Sequence, residues 1–312
     1  MDGLILVGSC SWTDPSLIAS GRFYPPGVTS AESRLRYYAD QFPIVEVDST
    51  YYALPSARNS ALWAARTPGG FVFDVKAFGL LTGHPVRVDR LPEWLGDALP
   101  APARSKRNAY SKDFAAADVE RAWQAHRDAL RPLSEAGKLG VVLFQFPPWF
   151  TRSTEHADYV RALPERLPEC RVAVEFRGGG WFKDPAAASS TLELLEGGGL
   201  THVCVDEPQG FRSSTPPVVA ATAQVAVVRL HGRNAETWEA RTKAASDRFK
   251  YLYSDEELDE WVSPTRELAR SAEAVHVLFN NNFEDWGMRN ARRMAQLLGT
   301  TGEPPQTRLD LR

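Results

Sequence analysis

The chain has 312 residues, which accommodates one (β/α)8 barrel of roughly 250 residues with insertions. Hydrophobic residues make up 43% and charged residues 24%, the balance of a globular domain and not of a disordered chain. A net charge of −3 excludes an overall basic field that would draw the protein to nucleic acid or an anionic membrane, and no apolar run approaches the roughly 18 residues of a membrane helix.

Eight short apolar runs recur along the chain, and most stop at a polar cluster. Leu4–Val7 opens the sequence and ends in Gly8, Ser9 and Cys10. The absence of a basic leader or cleavage site before it predicts a cytoplasmic protein. Thr29 and Ser30 can cap a helix through Tyr38, with Glu32 in its first turn. Ile44–Val47 ends at Asp48, and Ser56 starts a second helix through Trp63 to Arg66. Phe71–Val75 ends at Lys76. The stretch 79–111 that follows is long and proline-containing, the length of a functional lid or a disordered loop, with Arg104, Lys106 and Arg107 as a basic turn. Lys112–Ala136 has a long amphipathic helical pattern, and Val141–Phe144 ends at Gln145. Ser153 or Thr154 opens a helix ending near Pro164. Val172–Val174 ends at Glu175 and Arg177. Asp184 and Pro185 start a helix that the glycines at 197–199 stop. Val203–Val205 ends at Asp206; the stretch 208–224 after it reads as extended loop, so one barrel helix is reduced there. Val225–Val228 leads to Arg229 and His231, and Val275–Phe279 to Asn280–Asn282, with helices opened by Asp255 and Asp285.

Strand and helix alternate throughout, which implies a parallel sheet. Eight strands and the lack of a glycine-rich dinucleotide fingerprint favour an α/β TIM-like barrel over an open doubly wound sheet. One domain is expected over residues 1–302, with a tail over 303–312. Polar groups at successive strand ends mark the active face of such a barrel.

Alternation along the strands assigns faces. With valines and phenylalanines turned to the helices, the interior receives Glu46, Asp48, Asp74, Lys76, Glu175, Arg177, Cys204, Asp206, Arg229, His231, Asn280 and Asn282. Isolated charges in such a place cost several kcal/mol each, so they are paired, hydrated or ligand-bound. Two readings stand: a network of ion pairs that closes the barrel, such as Glu175 with Arg229 or Asp48 with Lys76, and a polar site at the mouth. The three cysteines, Cys10, Cys170 and Cys204, are too few and scattered for a disulfide framework or zinc ribbon.

Several segments in order resemble the barrel family called domain of unknown function 72, or YecE-like. They are G-S-C-S-W at 8–12, F-Y-P at 23–25, V-E-V-D-S-T-Y-Y at 45–52, F-V-F-D-V-K at 71–76 and F-Q-F-P-P at 144–148. V-E-F-R at 174–177, V-R-L-H-G-R at 228–233 and F-N-N-N at 279–282 complete the set. The resemblance implies a TIM-like barrel and no settled reaction. The family often carries Thr-His after the third strand, whereas Gly83 separates Thr82 from His84 here; its last motif often ends in His, where this chain has Asn282.

For chemistry, Glu175, Asp48, Asp206 and Lys76 are the candidate acid/base residues, since paired carboxylates in unlike environments can divide the two roles. Lys76 can also serve as an electrostatic clamp, and Asp74 on its face suits a structural pair. Arg177, Arg229 and His231 suggest an anion site, the guanidinium fork matching phosphate or carboxylate. Glu46, Gln145, Asn280, Asn282, Trp12, Tyr51 and Trp181 complete the candidate substrate contacts; Tyr52, Trp149, Trp238, Tyr251 and Tyr253 add rings that can stack on sugars or bases or simply pack the rim. His202 and His276 lie at strand starts, which leaves too few mouth histidines for a zinc cluster. No cofactor is expected, with a single Mg²⁺ or Mn²⁺ on Glu46, Asp48, Glu175 or Asp206 as the rival. The leading expectation is an enzyme, a hydrolase, lyase or isomerase, acting on a small anionic ring-bearing molecule, a phosphorylated sugar or nucleotide. The alternatives are a nucleic-acid-processing or nucleic-acid-binding barrel and a non-catalytic ligand-binding barrel. The sequence is silent on oligomeric state.

Overall fold

The computed structural model describes residues 2–240 and 245–300. The tail expected over 303–312 lies outside them. Eight parallel strands close into a barrel: β1 (Leu4–Ser9), β2 (Ile44–Val47), β3 (Val72–Lys76), β4 (Leu139–Gln145), β5 (Arg171–Glu175), β6 (Thr201–Asp206), β7 (Val225–Leu230) and β8 (Ala274–Phe279). Each pairs with its sequence neighbours, and β1 closes the ring on β8 from Leu4↔Ala274 to Ser9↔Phe279. Parallel neighbours need a crossover between them, and helices supply most of these. Ser30, Ser56, Ser153 and Asp184 each accept a backbone N–H as the N-cap of the helix that follows, as their side chains predict.

Two crossovers depart from the simple repeat. Residues 79–111 are ordered: they carry a short antiparallel ribbon, Val86–Arg87 with Asn108–Ala109, and two short helices, Glu93–Ala98 and Ala101–Arg104. Leu80, Leu81, Leu95 and Leu99 are buried, so apolar packing holds the excursion in place. Between β6 and β7 no helix forms among the described residues, as the extended pattern of 208–224 implies. Thr222 and Val218 do the helix's work there: Thr222 Oγ1 accepts from His202 N at 2.7 Å, and Val218 O lies 3.0 Å from His202 Nε2.

The core has two parts. Val45, Val47, Phe73, Val75, Phe144, Val174, Val228 and Phe279 face the helices. Ile44, Val72, Val141, Leu143, Ala173, Val203, Val205, Val225 and Val227 fill the lower barrel. Above them lie buried charges in layers. The lowest is Asp74, whose carboxylate meets His276 Nδ1 at 2.9 Å and accepts Val141 N at 2.8 Å. A Cβ on Gly140 would sit 2.1 Å from Asp74 Oδ1, so the strand passes this pair only as glycine.

The pairing of Asp74 with Lys76 suggested by the sequence is not formed. Two residues apart on one strand, they sit at different heights, and Lys76 reaches Asp48 instead, at 2.9 Å. Cys204 and Asp206 also lie on the other face of β6 from the one expected. Val203 and Val205 belong to the barrel interior, so alternation turns Cys204 and Asp206 toward the helices.

Candidate functional site

Arg229 on β7 is fully buried in the barrel. It donates Nε and Nη2 to both oxygens of Glu46, at 2.8 and 2.7 Å, and Nη1 to Glu175 Oε2. The ion-pair network expected from the sequence is therefore present, in Glu175–Arg229 and in Asp48–Lys76. A buried guanidinium held by two carboxylates satisfies charges that alone would each cost several kcal/mol.

Glu175 Oε1 faces upward, accepts Gln145 Nε2 at 2.6 Å, and lies 2.7 Å from Arg177 Nε and 3.2 Å from His231 Nε2. Burial pushes this carboxyl up, but Arg229, Arg177 and His231 outweigh it and hold it well below the usual carboxylate range. Burial lowers His231 to about 3, with Arg177 adding to the shift, so its ring is neutral. Arg177 also pairs with Glu207, which burial raises to about 7. Burial raises Glu46 to about 7 despite Arg229, with Asp48 adding to the rise.

The mouth above this layer encloses a cavity of about 570 Å³. Asp48, Lys76, Gln145, Asn280 and Asn282 reach it from strand ends. Tyr51, Tyr52, Trp149, Trp238 and Phe249 wall it, with His84 and Arg248 between them. Burial would lower Lys76, but Asp48, Glu46 and Tyr52 together outweigh it and its ammonium is raised above the ordinary value; it lies 4.7 Å from the centre of the Tyr51 ring. Burial lowers His84 to about 3, with Lys76 adding to the shift.

Among the sequence-predicted site residues, Asp48, Lys76, Tyr51, Gln145, Asn280 and Asn282 thus meet at one cavity. Glu46, Glu175 and Arg229 form the sealed layer beneath, and Arg177 and His231 join that layer to the mouth. Three candidates lie elsewhere. Asp206, behind the barrel wall, accepts Arg233 Nη2 at 2.7 Å, Tyr253 OH at 2.8 Å and Trp261 Nε1 at 2.7 Å. Trp12 packs edge-on against Trp63, with ring centres 6.0 Å apart, on the helix side of β3. Trp181 is buried on Phe176, with ring centres 4.1 Å apart, and donates Nε1 to Phe150 O. Both rings had apolar partners at hand and pack as core. Asp206 also stands apart from Glu46, Asp48 and Glu175, so those four carboxylates do not converge, and no group of three or more metal-ligating side chains forms among the described residues.

Four participants were not among the site residues expected from the sequence: Glu207, His84, Arg248 and Phe249. Glu207 follows Asp206 directly and takes the interior place assigned to it; the alternation Val203, Val205, Glu207 was its signal. His84 is brought to the mouth by the turn Gly79–Thr82 and lies 2.8 Å from Thr82 Oγ1 through Nδ1. Arg248 ends the four-residue helix Ala245–Arg248, too short to show a period, and had no signal.

The sequence pattern of the family described as a protein of unknown function, DUF72, matches residues 6–310. The chain belongs to the DUF72 family. It is 34% identical over 299 residues to the UPF0759 protein YunF of Bacillus subtilis (strain 168), covering 95% of each chain. A DUF72 family crystal structure from Thermotoga maritima MSB8 shares 29% identity over 95% of this chain and 99% of its own, with a TM-score of 0.74. One from Enterococcus faecalis V583, at 24% identity, covers 98% of this chain and 100% of its own with a TM-score of 0.76, and shows the same fold. The Thr-Gly-His spacing in which this DUF72 chain departs from Thr-His still brings Thr82 and His84 into contact. No helix among the described residues is long and apolar enough to cross a membrane.

Proposed function

We propose that this barrel is an enzyme that binds a small ring-bearing anion at its C-terminal mouth and transforms it by proton transfer at Asp48 and Lys76. The observation that carries the reading is the make-up of the cavity: two cationic side chains, Lys76 and Arg248, among five aromatic rings, over a rigid polar floor. Arg248 has no ion pair or hydrogen bond from its guanidinium among the described residues, which suits a ligand phosphate or carboxylate. The rings offer faces to a planar or sugar ring.

The acid/base role moves from Glu175 to Asp48. Both Glu175 oxygens are committed to donors, so Glu175 fixes its neighbours and has no free lone pair aimed at a substrate. Asp48 lines the cavity, and only its Oδ1 is tied, to Lys76. A carboxylate beside a charged ammonium gives one group able to accept a proton and one able to stabilise developing negative charge or return a proton.

A thermal-shift panel of sugar phosphates, nucleotides and single-stranded oligonucleotides tests this. A ligand at 100 times its Kd adds about 2.7 kcal/mol of stability. We expect a shift with a phosphorylated small ring, lost in Arg248→Ala, and turnover of that compound abolished in Asp48→Asn. Exposed Trp149 and Tyr52, 52% and 44% accessible at the rim, favour a second reading as a single-strand binding surface. A response to oligonucleotides alone would replace the first reading with this one. Binding without turnover would make the barrel a non-catalytic receptor.

A further inference from the structure

The buried carboxylate of Glu175 dictates which way the amides above it must point. An ionised carboxylate only accepts hydrogen bonds. The Gln145 atom 2.6 Å from Glu175 Oε1 is therefore its NH2 group, and Gln145 Oε1 is turned away, on a side chain that lines the cavity.

The same logic runs through His231. Its Nε2, 3.2 Å from Glu175 Oε1, must carry the proton. In a neutral ring Nδ1 is then an acceptor, so the Asn280 atom 2.8 Å away is Nδ2. Asn280 Oδ1 remains, and it accepts Asn282 Nδ2 at 3.2 Å. Asn282 is left with Oδ1 at the cavity. Arg177 does not disturb this assignment. Its Nη2 lies 3.1 Å from Nε2 and 3.4 Å from Nδ1; a guanidinium only donates, so with Nε2 protonated its acceptor on the ring is Nδ1.

Gln145 Oε1, Asn282 Oδ1 and Asp48 Oδ2 have no hydrogen-bond partner among the described residues. All three are acceptors around one cavity. We infer that this floor is an acceptor surface fixed by Glu175, and that it selects a hydroxyl-rich ligand, a phosphorylated sugar or polyol whose hydroxyls donate to Gln145, Asn282 and Asp48. The inference rests on the anion-binding reading above and sharpens it: the cations take the phosphate, and the floor takes the hydroxyls. A site of unmet acceptors rejects an analogue lacking the donors, because its own polar groups are then buried unpaired.

Titration calorimetry with glucose 6-phosphate, ribose 5-phosphate, phenyl phosphate and inorganic phosphate tests it. At least one sugar phosphate should bind about tenfold or more tightly than phenyl phosphate. That advantage should fall about tenfold in Asn282→Leu, at the rim, and in Gln145→Met, while phenyl phosphate affinity holds. The rim variant keeps the test sound if Gln145→Met fails to fold. Phenyl phosphate binding as tightly as every sugar phosphate, or an advantage that survives in Asn282→Leu, overturns the acceptor floor and leaves the anion cavity standing. Failure of all four compounds to bind overturns the anion cavity, and this inference with it.

Discussion

Arg229 has no access to solvent, and its partners have none either. Glu46 and Glu175 approach it from β2 and β5, so one guanidinium ties together three strands that are not neighbours in the ring. Arg229→Met would keep the volume and leave two buried carboxylates without a counter-charge. The expected loss is about 3–5 kcal/mol, read from urea unfolding. The pH response of the variant separates charge from packing. Without Arg229, Glu46 loses its bonded counter-charge and Glu175 one of its two guanidinium partners, so both carboxyls shift upward and the penalty is present at neutral pH and relieved on acidification. The gap between variant and native protein should therefore narrow from pH 8 to pH 5. A gap that stays constant would mean lost packing alone.

Strand β6 shows what the sequence can and cannot say about an element. Its existence and direction were legible, as were those of the other seven strands, because short β-branched runs bounded by polar residues and separated by capped helices leave few alternatives. Its facing was not. Valine is at home on both sides of a barrel strand, since the lower interior is itself apolar, and a run with valines at 203 and 205 carries no mark of which side is which. On β2, β3, β5 and β7 a charged residue within the run broke that tie; on β6 the acids Asp206 and Glu207 stand side by side and either could be inside. The mouth residues at strand ends were legible for the same reason the strands were. Arg248 was not, since a four-residue helix is too short to show a period, and Trp12 and Trp181 could not be told from cavity rings by residue type. The corrected facing makes a prediction for the element. Asp206 holds Arg233, Tyr253 and Trp261 behind the wall, and Tyr253 OH in turn accepts Gly232 N at 2.8 Å. Asp206→Ala should cost about 3 kcal/mol through stranded buried donors, visible in urea unfolding. Asp206→Asn, which keeps one acceptor oxygen, should cost less. A neutral Asp206→Ala would contradict the anchoring role.

The whole molecule carries an unusual load of buried titratable groups, and their signs fix its stability against pH. Burial lowers His126 and His202 to about 4, and His84 and His231 to about 3. Unfolded imidazoles titrate near 6.5, so between about 4 and 6.5 the unfolded chain binds protons at four rings that the folded chain leaves neutral. Glu46 and Glu207 act in the opposite sense: raised to about 7 by burial, they hold protons in the folded state that the unfolded chain has released above about 4.5. Four rings against two carboxyls leave a net uptake of about two protons on unfolding across this window. Stability should therefore rise with pH up to about 6.5, by at most ~1.4 kcal/mol per pH unit for each net proton. It should then fall slightly as the two carboxyls ionise near 7 and level off above. Below about 4.5, Glu175, held low, adds to the loss as pH falls. Urea unfolding followed by tryptophan fluorescence at pH 5, 6.5 and 8 reads this directly, and greater stability at pH 5 than at 6.5 would refute the balance. His126 offers a clean internal check. Neither of its ring nitrogens has a partner among the described residues, so His126→Phe removes a titration and no hydrogen bond. That variant should lower the slope below pH 6.5 by about one proton, ~1.4 kcal/mol per unit. An unchanged slope would place the titration at other groups.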